Sequence, residues 1–97
     1  MPRYEGPQSL GFVMKQLIDQ LGIRKKIDAA RVIETWAALA GPQINGVTDS
    51  VRLRGRTLHV KIRSSAWRHE LHLQRGQWCR RLNEQLGEDL VEAIAFR

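Results

Sequence analysis

Acidic residues are nearly absent from the middle of this chain. Between Arg52 and Arg81 stand nine lysines and arginines against one acid, Glu70, so this stretch carries +8 and leaves −2 for the rest of a chain whose net charge is +6. Other scarcities narrow the reading. The single cysteine, Cys79, excludes an internal disulfide framework. No apolar run approaches the roughly 20 residues of a membrane-spanning helix. The opening "MPRYEGPQSL" lacks the apolar stretch of a secretory signal. A cytoplasmic protein, associated with the nucleoid, is expected. Phosphate-cradling patterns (GxGxxG, Walker A), metal spacings (CxxC, HExxH) and the GxSxG elbow do not occur. The GxxG loop by which KH modules clamp a nucleic-acid backbone is also missing.

What remains is a one-domain length of 97 residues, 42% apolar and 27% charged, ordinary values for a globule with one modest core. Residues 1–9 hold two prolines and a glycine without periodicity and read as a flexible arm, leaving 10–97 as a single domain. Ser9 is an N-cap candidate for a first helix. Its apolar positions Leu10, Val13, Met14, Leu17 and Leu21 recur at helical spacing, and Gly22 is a natural stop. A helix this short must dock on something to be stable. "IRKK" reads as a basic link, and Asp28 as the cap of a second helix carrying Ala29, Val32, Ile33, Trp36 and Ala40 on one stripe, ended by Gly41-Pro42. "PQING" reads as a turn.

Two strands follow, about 47–54 and 57–64, joined by a tight turn at Gly55. Ser64 or Ser65 caps one long helix with Trp67, Leu71, Trp78, Leu82 and Leu86 on a stripe, closed by Gly87. A last strand, "VEAIAFR", buries Ile94 and Phe96. The expected fold is α+β in the order α-α-β-β-α-β, a three-stranded sheet with helices on one face. The other face is open to water, as antiparallel sheets tolerate.

The alternation of "TLHVKIRS" turns Leu58, Val60 and Ile62 to the core and His59, Lys61 and Arg63 outward. With Arg52 and Arg54 of the neighbouring strand these charges lie within about one Debye length, ~8 Å, of one another. Edge protection alone does not call for five such positions with no acid between them. A polyanion, or an acidic protein surface, is the implied partner. The three tryptophans fall on helical apolar stripes, so the exposed sheet face has no ring for base stacking. Contacts should therefore go to phosphates, with little sequence readout. Arg68 and Arg75 are placed with this nucleic-acid surface, and Arg80 and Arg81 extend it or face acids on a protein partner.

No catalytic site is expected. Ser64, Ser65, His69 and Glu70 are neighbours in sequence, but nothing marks a nucleophile with its base and orienting group. His69, His72 and Cys79 fall short of a metal set; the histidines read as surface residues and Cys79 as a thiol at the core's edge. No cofactor, small-molecule substrate or membrane partner is implied. Leu73 falls among polar residues on the helical wheel, as a stray surface leucine or a partner anchor. Trp67 either covers the core or joins that contact.

Together, "ETWAALAGPQI", "LRGRTLHVKIRSSAWRHELHLQRGQWCRRLNEQLG" and "VEAIAFR" resemble the DciA-like family of bacterial replication proteins. The landmarks are Trp36 with Gly41, Leu58-x-Val60, Ala66-Trp67 with Glu70-Leu71, Leu82-Asn83 and Ile94-x-Phe96. The resemblance covers nearly all of the chain from Leu10. It implies a KH-like domain without the GxxG loop, and a non-enzymatic adaptor that binds DNA and the hexameric replicative helicase and assists its loading. Many relatives carry a long arm beside the domain. About nine residues precede the first helix here, so any helicase contact made by such an arm is expected to be missing or compensated. The competing expectations are a DNA- or RNA-binding module with no helicase partner, and an interaction domain for an acidic protein.

Overall fold

Alternation over residues 51–54 and 57–62 decides where the core lies, and the rest of the chain assembles around it. The computed structural model describes residues 7–97; the arm expected over residues 1–9 falls outside them as far as residue 6. The elements are α1 (Pro7–Gln20), α2 (Ile23–Gly46), β1 (Thr48–Arg54), β2 (Thr57–Ile62), α3 (Ser65–Leu73), α4 (Arg75–Leu86) and β3 (Ala93–Phe96). The class is α+β and the expected order holds, with the long helix in two pieces.

The sheet runs β1-β2-β3. β1 pairs antiparallel with β2, and β3 pairs parallel with β2, Leu58 opposite Ile94 and Val60 opposite Phe96. The sheet is therefore mixed rather than antiparallel throughout. Parallel pairing needs a crossover of a dozen or more residues, and α3 with α4 provides it. Leu58, Val60, Ile62, Ile94 and Phe96 turn one face into the core. Val32, Trp36 and Ile44 of α2 meet them there, with Leu71 of α3 and Leu82 and Leu86 of α4. Trp36 is fully buried. Its ring stands edge-on to Trp78, centroids 5.3 Å apart, and tilted against Phe96 at 5.7 Å, geometries that aromatic quadrupoles favour.

Several boundaries differ from expectation. α1 begins at Pro7 instead of after Ser9, because proline's fixed φ suits the first helical position. Gly22 adopts φ 70°, and α2 starts immediately at Ile23. "IRKK" is thus helical, since lysine and arginine are good helix formers, and Asp28 lies inside the helix 3.7 Å from Arg31. The break at Gly41 stands, with φ 82° and ψ 175°, but Pro42–Gly46 forms one more helical turn. At Gln74 the expected long helix is interrupted: its N–H is shared between the Glu70 and Leu71 carbonyls at 3.3 and 3.2 Å. Arg75 donates to the His72 carbonyl beside the break at 2.9 Å. Ser64 caps α3 as expected, its Oγ accepting from the Trp67 N–H at 3.3 Å.

The apolar stripe of α1 is not covered by the described fold. Leu10, Val13, Met14, Leu17 and Leu21 are 47–67% exposed. The molecule is drawn out to 65 × 22 × 21 Å with a radius of gyration of 17.3 Å, against about 12–13 Å for a compact chain of this length. Gly22 turns α1 away from the body before its stripe can reach the core.

Candidate nucleic-acid interface

Directly paired residues in a sheet share a face. Val51 pairs with Val60 and Leu53 with Leu58, all toward the core. The alternate pairs, Ser50 with Lys61, Arg52 with His59 and Arg54 with Thr57, point to the outer face. On the far side of β2, Ala93 lies opposite Thr57 and Ala95 opposite His59. A shallow depression of about 480 Å³ lies on the outer face of the hairpin, lined by Ser50, Arg52, Arg54, His59, Val60, Lys61 and Arg97. Arg97 extends the parallel ladder, donating to the Val60 carbonyl at 2.9 Å and accepting from the Ile62 N–H at 2.6 Å. Among the described residues, Arg52, Arg54 and Lys61 have no carboxylate within 4.0 Å. Four of the nucleic-acid candidates, Arg52, Arg54, His59 and Lys61, are thus brought together.

The other three sit differently. Arg63 stands beyond the end of β2 with its Nε 3.1 Å from Asp49 Oδ1, and it also donates to the Gly46 carbonyl. Asp49 comes within reach because the β1–β2 register slips between Thr48 and Ser50. A bulge of this kind re-aims a side chain, so an acid does interleave at this edge. Arg68 is half-buried and donates to the Ile62 carbonyl at 3.1 Å, tying α3 to the end of β2. Arg75 lies at the α3–α4 break, next to His72, in the helical layer on the opposite side of the sheet.

Among the protein-partner candidates, Trp67 packs partly buried against the core and Leu73 stands 63% exposed at the end of α3. Arg81 lies over the Trp78 ring, 4.8 Å from its centroid, a cation–π contact within the chain. Arg80 borders a second depression, of about 370 Å³, with Glu84, Glu88 and Asp89. These four residues do not form one cluster. Arg97 was missed in the sequence, yet the alternation that buries Ile94 and Phe96 also turns residue 97 outward. The outward position of Ser50 could not be read the same way, because the bulge shifts the count.

Cys79 is half-buried and its thiol donates to the Val91 carbonyl at 3.3 Å. Burial, and secondarily the Asp89 carboxylate, push its pKa up, with Arg56 opposing. Among the described residues no three His, Cys, Asp or Glu side chains gather as a metal site, and no helix is long and apolar enough to cross a membrane.

A family model described as Dna[CI] antecedent, DciA, matches residues 9–96, a span that takes in the whole sheet and the three helices packed on it. The chain belongs to the DciA family. DciA-family relatives include a UPF0232 protein of Mycobacterium tuberculosis (strain H37Rv), 26% identical over 93 residues, covering 96% of this chain and 50% of the relative. A UPF0232 protein of Mycolicibacterium smegmatis is 27% identical over 93 residues, 96% of this chain and 48% of the relative. One from Corynebacterium glutamicum (strain R) is 27% identical over 89 residues, 92% and 50%. The chain spans about half the length of the curated relatives it matches. Many of the DciA landmarks prove to be packing residues: Trp36, Leu58, Val60, Leu71, Leu82, Ile94 and Phe96 are all buried.

Proposed function

We propose that this DciA-family chain is a non-enzymatic adaptor that binds the DNA backbone through the outer face of its sheet and helps to load or operate the hexameric replicative helicase in the bacterial cytoplasm. The observation that carries the DNA half is the strand register. It sets Arg52, Arg54, His59 and Lys61 on one face, where they line a shallow depression with Arg97. A phosphodiester chain can lie along such a trough and exchange its condensed counterions for guanidinium and ammonium groups. The described part of this face has no aromatic ring, so the contact is to phosphate and carries little sequence information. The helicase half is supported by membership of the family described as Dna[CI] antecedent, DciA.

The deciding experiment is fluorescence anisotropy with labelled single- and double-stranded oligonucleotides over a salt series, comparing the wild-type chain with the double variant Arg52→Ala, Lys61→Ala. Each lost phosphate contact lowers the log–log salt slope by about 0.7–0.9, so the double variant should bind weakly and show a slope smaller by roughly 1.5. Unchanged affinity at low salt would remove this face from the proposal. For the helicase, pull-down from a nuclease-treated bacterial lysate should retain a hexameric ATPase. Loss of the ATPase on nuclease treatment would leave a DNA-binding module only.

A further inference from the structure

α1 presents a feature the DNA-binding reading does not use. Leu10, Val13, Met14, Leu17 and Leu21 fall within one side of the helix, and each is about half exposed. An isolated helix of 14 residues is marginal in water, and most helical stability in proteins comes from packing an apolar face. Of the fold, it is α2 that α1 packs against, and that contact leaves the stripe about half exposed.

We infer that α1 pairs with α1 of a second copy of this chain, antiparallel, through Leu10, Met14, Leu17 and Leu21. Three observations select this occupant. First, the spacing 10-14-17-21 alternates four and three, the seam of a two-helix coiled coil. Turned antiparallel, it is complementary to itself, Leu10 meeting the partner copy's Leu21 and Met14 its Leu17. Second, the stripe and its flanks at Gly11 and Gln20 carry no charge, while Lys15 and Asp19 stand off it. Two copies can thus meet here without the like-charge repulsion that two sheet faces would suffer. Beyond Arg24, which Asp19 holds at 2.6 Å, Lys25 and Lys26 set the direction. Parallel pairing would press both basic runs together, whereas antiparallel pairing sends them to opposite ends of the pair, some 20 Å apart and beyond a Debye length. Third, the four seam residues, with Val13 on their flank, are each about half exposed, and two copies together offer apolar surface approaching the roughly 1,000 Å² at which specific interfaces begin.

Sedimentation of the whole chain over a dilution series tests this. The wild type should move from about twice its 11.2 kDa mass toward 11.2 kDa as it is diluted, and Leu17→Asp should remain at 11.2 kDa throughout. Leu17 lies outside the core, so Leu17→Asp should keep the wild-type near-ultraviolet tryptophan signal and DNA affinity, which separates this result from failure of the DNA-binding reading. Direction is read by disulfide trapping in a Cys79→Ser background. A mixture of Leu10→Cys and Leu21→Cys chains should cross-link to each other, and neither should cross-link efficiently to itself. A wild type that is monomeric at every concentration, a Leu17→Asp variant that still dimerises, or efficient self-linking of Leu10→Cys would each overturn the inference. So would a monomeric wild type whose capture of the hexameric ATPase is abolished by Leu17→Asp, since that assigns the stripe to the helicase.

Discussion

Arg63 Nε lies 3.1 Å from Asp49 Oδ1, across the mouth of the hairpin. The pair divides the row of cations on β2: Lys61 faces open solvent, and Arg63, two residues on, is already met by a carboxylate. Asp49→Asn should release Arg63 to the face proposed to bind phosphate. DNA affinity should rise and the salt slope should steepen by up to about one. Both partners are largely exposed, so stability should change by less than about 1 kcal/mol. Anisotropy titrations of Asp49→Asn against Arg63→Ala measure this. Arg63→Ala weakening binding as much as Arg52→Ala does would show that Asp49 does not restrain it.

Leu73 stands 63% exposed at the end of α3. Leu73→Ala should alter stability by no more than about 0.5 kcal/mol and leave DNA binding intact. If Leu73 anchors the helicase, the same variant should lose ATPase capture from nuclease-treated lysate. Undiminished capture would reduce it to a surface leucine.

Asn83 holds the segment leading into β3. Its Nδ2 donates to the Val91 carbonyl at 2.7 Å, and its Oδ1 accepts from the Val91 N–H at 3.0 Å. Val91 is 2% exposed, so Asn83→Ala leaves its backbone groups with little water to replace them. A loss on the order of 2–3 kcal/mol is expected, read as a lower urea midpoint with an unchanged slope.

At Gly41 the backbone takes φ 82° and ψ 175°, a region that residues with a Cβ rarely enter. A Cβ there would meet nothing within 4 Å. Gly41→Ala should therefore destabilise through backbone strain, by about 1–3 kcal/mol, without a packing defect. Thermal unfolding together with an unchanged tryptophan environment would separate strain from misfolding.

Cys79 reacts only as the thiolate, and burial holds its pKa above the usual thiol range. Because the raised pKa favours the neutral thiol, alkylation at neutral pH should be slower than for a free thiol, and its rate should rise at a higher pH. Unfolding in urea should restore ordinary reactivity. Rapid labelling of the folded chain at neutral pH would contradict the burial.

Much of this architecture was legible in the chain. Period-two alternation over 57–62 placed Leu58, Val60 and Ile62 inside and His59 and Lys61 outside, because a strand's side chains must point to opposite faces. Helical spacing in the second helix put Val32 and Trp36 in the core for the corresponding reason. The helix break at Gln74 and the bulge at Asp49 left no such mark, since both depend on which carbonyl or guanidinium happens to lie nearby. Arg68 read as one more cation for DNA; that its guanidinium donates to the Ile62 carbonyl at 3.1 Å could not be read from the chain.

The order of elements, the hydrophobic side of each strand and the excess of positive charge followed from local pattern and composition, which act over a few residues and need no knowledge of distant contacts. Tertiary structure alone decided which cations stay exposed together and which are drawn into ion pairs or caps. It also set β3 parallel to β2, bringing Arg97 to the charged face, and left the apolar side of α1 uncovered. Those outcomes depend on distances between residues far apart in the chain, and such distances exist only once the core has closed.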